Sequence, residues 1–217
     1  MGRACPLAFL VGLLAAGCGG GGRLGIRSTG GNFSVRFAWP TKAGRVIPTA
    51  AQSIRVQVLK NSTVTHESFL TPGAPVANFT EVPTGTVTVK AVAYPTAGGT
   101  GTALASAQTT QAITANGTAS VSLTMASTID HLTLSPNPVN LALTGIVTRQ
   151  TTVTAYDTAG SVVLTAPADL TYTSSGLSIF IVNPTGMVTG LAVGNATLTV
   201  TDAVSGKSDG APVHVTL

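Results

Sequence analysis

The sequence predicts an all-β chain made of two tandem β-sandwiches. Threonine, which favours pleated strands, occurs 35 times in 217 residues. Glycine and proline occur 25 and 12 times and favour turns between short strands. Only 8% of the residues are charged and 44% are hydrophobic, so the composition excludes an intrinsically disordered chain.

The first sandwich is predicted over residues 32–126. Apolar and polar residues alternate from Phe33 to Trp39, and Pro40 ends the run, which indicates a half-buried strand. Glycine, proline and asparagine residues separate this strand from the alternations that follow. Those alternations place apolar residues at Ile54, Val56 and Val58, at Val87, Val89, Ala91 and Ala93, and at Ala119, Val121, Leu123 and Met125.

The second sandwich is predicted over residues 127–217. Short strands recur about every 8 to 12 residues, a spacing typical of an immunoglobulin-like sandwich. The clearest of these strands are predicted at Leu132–Leu134, Val139–Leu143, Thr151–Tyr156, Val162–Thr165, Leu170–Thr173 and Ile179–Val182.

The amino terminus has the pattern of an export signal. A positive end at Arg3 precedes ten apolar residues, Leu7–Ala16, which is too short a segment to cross a bilayer. Ala15-Ala16-Gly17-Cys18 resembles the lipobox of bacterial lipoprotein precursors. The resemblance implies a signal peptide over residues 1–17 and a lipidated Cys18 as the first mature residue. Residues 18–31 would then form a Gly-rich tether of about 20 Å.

The lipobox also has consequences for disulfide bonding and for the location of the protein. Cys5 lies in the segment that would be removed, so no disulfide would join the mature sandwiches. Acyl chains on Cys18 would make the membrane the first partner of the protein, in the cell envelope. Gly19 stands where an aspartate retention signal would stand, which implies the outer membrane, on its surface or periplasmic face, if the cell has one.

The second half resembles the bacterial immunoglobulin-like domain, group 2. The residues that carry the resemblance are Leu141, Leu143, Gly145, Tyr172-Thr173-Ser174-Ser175, Gly186-Met187-Val188-Thr189-Gly190, Gly194 and Ala196-Thr197-Leu198-Thr199. In such a domain Gly186 and Gly194 would form turns, and Val188, Leu191, Leu198 and Val200 would fill the core. Tyr172 replaces a tryptophan that the family often has. The first half has a shorter resemblance: Phe79–Gly85, leading into Thr86–Tyr94, resembles transthyretin-like and carboxypeptidase-regulatory-like sandwiches.

Charge is divided unevenly. Residues 19–126 carry a net charge of +6 and residues 127–217 carry −3. The basic half has two interpretations: contact with anionic lipid, or ordinary solvated cations spread over many strands. The sequence has no dense basic run and no aromatic platform, so it does not indicate nucleic-acid binding.

The sequence offers little catalytic chemistry. His66-Glu67 begins like a zinc-protease motif, but Leu70 stands where the second histidine should be, which favours a surface pair. Asp130-His131 has no third partner for a triad. We therefore expect no enzyme activity, no cofactor and no metal site. The second half has five acids that permit weak calcium binding, although solvated turn residues are favoured: Asp130, Asp157, Asp169, Asp202 and Asp209.

Two aromatic residues, Trp39 and Tyr172, are predicted to face the core. Tyr94, next to Pro95 and the Gly98–Gly101 loop, is predicted to be the aromatic nearest solvent and the candidate ligand contact. Five Asn-x-Ser/Thr triplets, expected by chance in a Thr-rich chain, begin at Asn32, Asn61, Asn78, Asn116 and Asn195.

Two hypotheses of function follow. The first is a non-catalytic, lipid-anchored envelope protein whose sandwiches form a spacer or adhesive module. The alternative is a module that binds glycan or peptidoglycan, or an accessory subunit that binds another envelope protein. Glycan binding would need exposed aromatics or a polar groove, neither of which the sequence alone places.

Overall fold

The computed structural model describes residues 30–37 and 47–217. Eighteen β-strands and one short 3₁₀ helix, Pro167–Asp169, make up the regular structure of these residues. The expected all-β fold class is confirmed. The predicted signal peptide, Cys18 and Trp39 lie outside the described residues. Within the described residues, no helix has the length and apolarity needed to span a membrane.

The first eight strands form two sheets. The smaller sheet has the order β4-β1-β7, with β1 antiparallel to β4 and parallel to β7. The larger sheet has the order β3-β2-β5-β6-β8 and is antiparallel throughout. The strands are β1 (Gly30–Arg36), β2 (Ser53–Lys60), β3 (Thr63–Leu70), β4 (Val76–Pro83), β5 (Gly85–Tyr94), β6 (Ala105–Ile113), β7 (Thr118–Ser122) and β8 (Ala126–Ser127).

Alternation on these strands builds the core between the two sheets. Phe33 and Val35 on β1 are buried, and the ring of Phe33 stacks on that of Phe79 with centroids 6.3 Å apart. Val56 and Val89, from the larger sheet, are also fully buried. Gly30 and Gly31, predicted to belong to the tether, are instead the first residues of β1, because they pair with Pro83 and Val82 at the end of β4.

The remaining ten strands form three sheets, with the orders β10-β18-β17-β14, β11-β16-β15 and β13-β12-β9. All pairs are antiparallel except β10 with β18. The strands are β9 (His131–Ser135), β10 (Val139–Ala142), β11 (Thr148–Gln150), β12 (Thr152–Tyr156), β13 (Val162–Val163), β14 (Leu170–Ser174), β15 (Phe180–Val182), β16 (Met187–Gly190), β17 (Gly194–Asp202) and β18 (Ser208–Thr216).

Most of the predicted core positions of the second half are buried. Val188, Leu198 and Val200 are fully buried, as predicted, and Tyr172 packs partly buried against the core. The prediction for Leu191 is wrong, because its exposed fraction is 49%. Leu191 follows the last residue of β16 and lies in the turn before β17, where no neighbouring strand covers it.

The predicted boundary between residues 126 and 127 falls inside β8. This short strand pairs with β6, where Ala105 lies opposite Ser127 and Ser106 lies opposite Ala126. Two of the sheets contain only strands from β1–β8, and the other three contain only strands from β9–β18. The division into two domains stays a prediction, and we refer below to the strands β1–β8 as the first unit and β9–β18 as the second unit.

We expect Gly186→Ala to destabilise the second unit. Gly186 has a φ of +83°, and an added Cβ would lie 2.9 Å from both Thr151 Oγ1 and Tyr172 Cζ. The free energy of unfolding, measured by urea denaturation, should fall by about 1–3 kcal/mol. Gly145→Ala is the control, because a Cβ there meets nothing within 4 Å. Equal stability of the two variants would contradict the argument.

Candidate functional site

Tyr94 is buried, so the prediction that it lies nearest solvent is wrong. Its exposed fraction is 9%. Arg55 Nη2 donates a hydrogen bond of 2.8 Å to Tyr94 Oη, and the Arg55 guanidinium carbon lies 5.2 Å from the centre of the ring. Tyr94 ends β5 beside β2, and Arg55 on β2 covers it. The ring therefore offers little surface to a ligand, and its role as a ligand contact stays untested.

His66 connects the two sheets of the first unit. Its Nε2 lies 3.0 Å from the carbonyl oxygen of Thr80, and its ring meets the edge of Phe79 with centroids 6.0 Å apart. His66 lies on β3 while Thr80 and Phe79 lie on β4, so the side chain closes the gap between neighbouring edge strands. Among the described residues, no group of three His, Cys, Asp or Glu side chains is placed to hold a metal ion.

Two of the five aspartates of the second unit, Asp169 and Asp202, are buried, so the prediction of solvated turn residues is wrong for these two. Asp202 is 1% exposed, and its Oδ2 accepts hydrogen bonds from the backbone N and Oγ of Ser205, at 2.7 and 2.6 Å. Asp209 accepts a 2.7 Å bond from the backbone N of Leu134. Asp202 accepts bonds from the short turn before β18 and Asp209 accepts one from strand β9, so both carboxylates satisfy backbone donors of the second unit.

Asp169 joins the two units. It is 2% exposed and lies at the end of the 3₁₀ helix, just before β14. Its Oδ2 accepts a 3.1 Å hydrogen bond from the backbone N of Thr49, and its Oδ1 accepts a 2.9 Å bond from Thr49 Oγ1. One carboxylate thus holds a residue 120 positions earlier in the chain. Hydrogen bonds to a charged group of this kind are stronger than neutral ones.

The chain that passes between the units is bonded on both sides. On one side, the backbone N of Thr128 donates to the carbonyl of Leu104, at 3.0 Å. On the other, the backbone N of Asp130 donates to the carbonyl of Tyr156, at 2.8 Å. Ile129, between them, is 7% exposed. We call residues 128–130, with the Thr49–Asp169 contact, the joint.

The end of the second unit away from the joint is apolar. The pairings place the turns before β11, β15 and β17 and the end of β18 at this end, because β14 runs from Asp169 towards it and β17 runs back. None of the loop residues 143–147, 175–179 and 191–193 is charged. We define the apolar end by its exposed side chains, which are Ile146, Leu177, Leu191, Val193 and Leu217.

The outward side of the sheet β4-β1-β7 is polar and has a hollow near each end. Since Phe33 and Val35 point into the core, the alternate residues of β1 point outward. A hollow of about 510 Å³ lies at one end of this side and another of about 390 Å³ at the other end. We define the polar face by its outward polar residues, which are Asn32, Ser34, Arg36, Asn78, Thr80, Glu81, Asn116, Thr118, Ser120 and Ser122.

The Asn-x-Ser/Thr triplets of the sequence were a signal for the polar face. Three of the five triplets, beginning at Asn32, Asn78 and Asn116, supply residues of this face. Residues i and i+2 of a strand point to the same side of a sheet, so such a triplet on a strand places two polar side chains together. The sequence did not indicate that the three triplets would meet on one sheet, because that depends on the pairing of β1 with β4 and β7.

Comparisons with known proteins add no functional argument. No protein-family model and no curated protein matches the chain, so neither family resemblance is confirmed. The chain is similar to domains 4 and 5 of the S-layer protein SbsC, with 18% identity over 76% of this chain and 77% of that one, at a TM-score of 0.36. It is also similar to the fibronectin(III)-like modules of Clostridium thermocellum CbhA, with 15% identity over 82% of each chain and a TM-score of 0.27. Drosophila N-cadherin EC1-4 matches with 12% identity over 87% of this chain and 47% of that one, at a TM-score of 0.34. Likenesses with TM-scores below 0.5 carry no argument.

Tyr172 should make the stability of the folded chain fall at alkaline pH. Burial raises the pKa of its phenol above the ordinary value, because the charged form loses solvation. Since the pKa is higher in the folded than in the unfolded chain, this contribution to stability is present below the unfolded pKa and lost as pH rises through the folded pKa. The Tm should therefore fall on going from about pH 9 to about pH 11, and Tyr172→Phe should reduce that fall. An equally steep fall in the variant would contradict this assignment.

Proposed function

We propose that this chain is a non-catalytic, lipid-anchored protein of the cell envelope, in which two β-sandwich domains form a spacer with an adhesive end. The observation that carries the proposal is the joint, where a buried carboxylate and backbone hydrogen bonds connect the two units. A spacer needs a connection that resists rotation, because a freely swivelling link would not hold the distal unit away from the membrane.

The joint meets that requirement. Only Ile129 separates the residue bonded to the first unit from the residue bonded to the second, and its side chain is buried. Rotation of one unit against the other would break the bonds between Thr49 and Asp169 and leave a buried charge without those donors. Leaving a buried acceptor without its hydrogen-bond donors costs about 1–3 kcal/mol, and more when the acceptor is charged.

The apolar end supports the adhesive part of the proposal. It lies on the side of the second unit that faces away from the joint, and its exposed apolar residues come from several separate segments. Strand β18 has nine residues and therefore spans about 30 Å between the joint side and this end. Apolar residues gathered on one surface typically mark a contact with another protein or a membrane.

The anchor is the part of the proposal that rests on sequence alone. The lipobox resemblance at Ala15–Cys18 supports acylation of Cys18, and the glycines that follow support a flexible tether to β1. Anchoring at the amino terminus would place the first unit, which carries the positive net charge, nearest the membrane surface.

Membrane fractionation of cells that carry Cys18→Ala tests the anchor. The wild-type chain should stay in the membrane fraction, and the variant should be released from it, because the acylated thiol is removed. Protease treatment of intact cells, followed by immunoblotting for residues 127–217, tests the surface location. Digestion on intact cells supports an adhesive surface protein, whereas protection until the outer membrane is permeabilised contradicts it. Retention of the variant in the membrane would contradict the lipid anchor.

Small-angle X-ray scattering of Asp169→Ala tests the joint. Loss of the carboxylate should broaden the distance distribution and increase the radius of gyration, because the units then rotate more freely. Thr49→Val, which removes only the hydroxyl donor from the first unit, should act in the same direction. Asp157→Ala is the matched control, since within the part of the chain that the structure describes that carboxylate bonds only to Ala159 N and Ser161 N of its own turn. Scattering profiles of Asp169→Ala and Thr49→Val identical to that of the wild type would rule out the rigid joint.

A further inference from the structure

The polar face has an arrangement that a spacer does not need. Its side chains form cross-strand rows on the sheet β4-β1-β7. Ser34 on β1 lies opposite Asn78 on β4 and Ser120 on β7, and Asn32 lies opposite Thr118. Successive rows are separated by two residues, or about 7 Å along the strands, and neighbouring strands are about 4.8 Å apart. The result is a regular ladder of amides and hydroxyls that crosses the sheet.

Among the described residues, none of the side chains of Asn32, Asn78, Asn116 and Ser120 makes a hydrogen bond. On the outer side of the larger sheet some polar groups are paired, since Arg55 donates to Tyr94 Oη and Lys60 Nζ donates to the carbonyl of Thr84. The polar face therefore keeps its donors and acceptors available.

The backbone is distorted where the polar face begins. Pairing between β1 and β4 shifts register between Gly31 and Phe33, which is the mark of a β-bulge. Opposite this shift, Glu81 has a φ of +57°, a conformation that costs free energy for a residue with a side chain. Thr80 and Glu81 are consequently both exposed, and both line the smaller hollow. Bulges and strained residues of this kind are concentrated at binding sites.

The chemistry of the face selects the class of ligand. Amide and hydroxyl groups both donate and accept hydrogen bonds, which suits a ligand rich in hydroxyls. Arg36 and Glu81, the two charged residues of the face, lie at opposite ends of the sheet and leave no excess charge. An anionic polymer such as a nucleic acid would gain at one end and be repelled at the other.

We propose that the polar face binds a linear, neutral polysaccharide that lies across the rows of β4, β1 and β7. Among the described residues, the face has no aromatic ring on which a sugar could stack, so each sugar unit gains there only hydrogen bonds of modest net value. Binding then depends on several units along one chain engaging successive rows. This inference does not depend on the lipid anchor or on the joint, and its test is independent of both.

Affinity electrophoresis of the full-length chain tests the proposal. Native gels would contain one soluble neutral polysaccharide each, namely hydroxyethylcellulose, glucomannan, xylan or dextran. At least one should retard the protein in proportion to its concentration. The double variant Asn32→Ala, Asn78→Ala should need about a tenfold higher concentration for the same retardation, because it loses the donors of two rows.

Matched substitutions on the other sheet control for a general surface effect. Gln108→Ala with Thr110→Ala removes two exposed polar side chains from the outer side of β6 and should bind like the wild type. The proposal fails if no neutral polysaccharide retards the protein, or if the β6 double variant loses as much affinity as the β1 and β4 variant. It also fails if only an anionic polysaccharide, such as polygalacturonate, retards the protein and salt abolishes the effect.

Discussion

One buried carboxylate constrains the relative placement of the two units, together with the bonded passage of chain between them. Asp169 lies 2% exposed, and a charge in that position is tolerated only when hydrogen-bond donors surround it. Thr49 supplies two such donors from the other unit. An apolar contact would tolerate sliding and rotation, whereas two bonds to the two oxygens of one carboxylate specify both a distance and a direction. The bonded passage from Thr128 to Asp130 adds a second, separate constraint on the same orientation.

The same physics divides the second unit into two unlike ends. Short turns leave backbone N–H groups without strand partners, and near the joint aspartates accept bonds from them, as Asp202 does with Ser205. At the other end the turns are closed by backbone bonds, such as those from Leu191 and Ala192 to the carbonyl of Ile179. Serine hydroxyls also contribute there, since Ser174 Oγ accepts a bond from Gly176 N and Ser175 Oγ accepts one from Thr197 N. The loop residues at this end carry no charge, and apolar side chains occupy the surface. Asp157 and Asp202 therefore stabilise turns, whereas Asp169 and Asp209 accept bonds from more distant parts of the chain.

Sequence reasoning succeeded where a strand alternates large apolar with polar residues, as β1, β2 and β5 do. It missed β6, because the alternation Ala-Ser-Ala-Gln-Thr-Thr-Gln-Ala carries almost no hydrophobic contrast and the strand forms through its pairing with β5. The exposure of Tyr94 was misjudged because its loop neighbours are flexible residues, whereas its burial comes from Arg55 on the next strand. Asp169 could not have been singled out, since its partner lies 120 residues away and no local pattern links them.

The polar face arises from a weak sequence pattern, the Asn-x-Ser/Thr triplets, and only the pairing of β1 with β4 and β7 brings these residues together. A polar side of a sheet normally needs no explanation, because water satisfies it. Here the face has a hollow near each end, its charges are separated, and Glu81 is held in a strained conformation that turns two neighbouring residues outward. Strained residues are concentrated at functional sites, so this distortion supports the proposal that the shape of the face, in addition to its polarity, contributes to ligand binding.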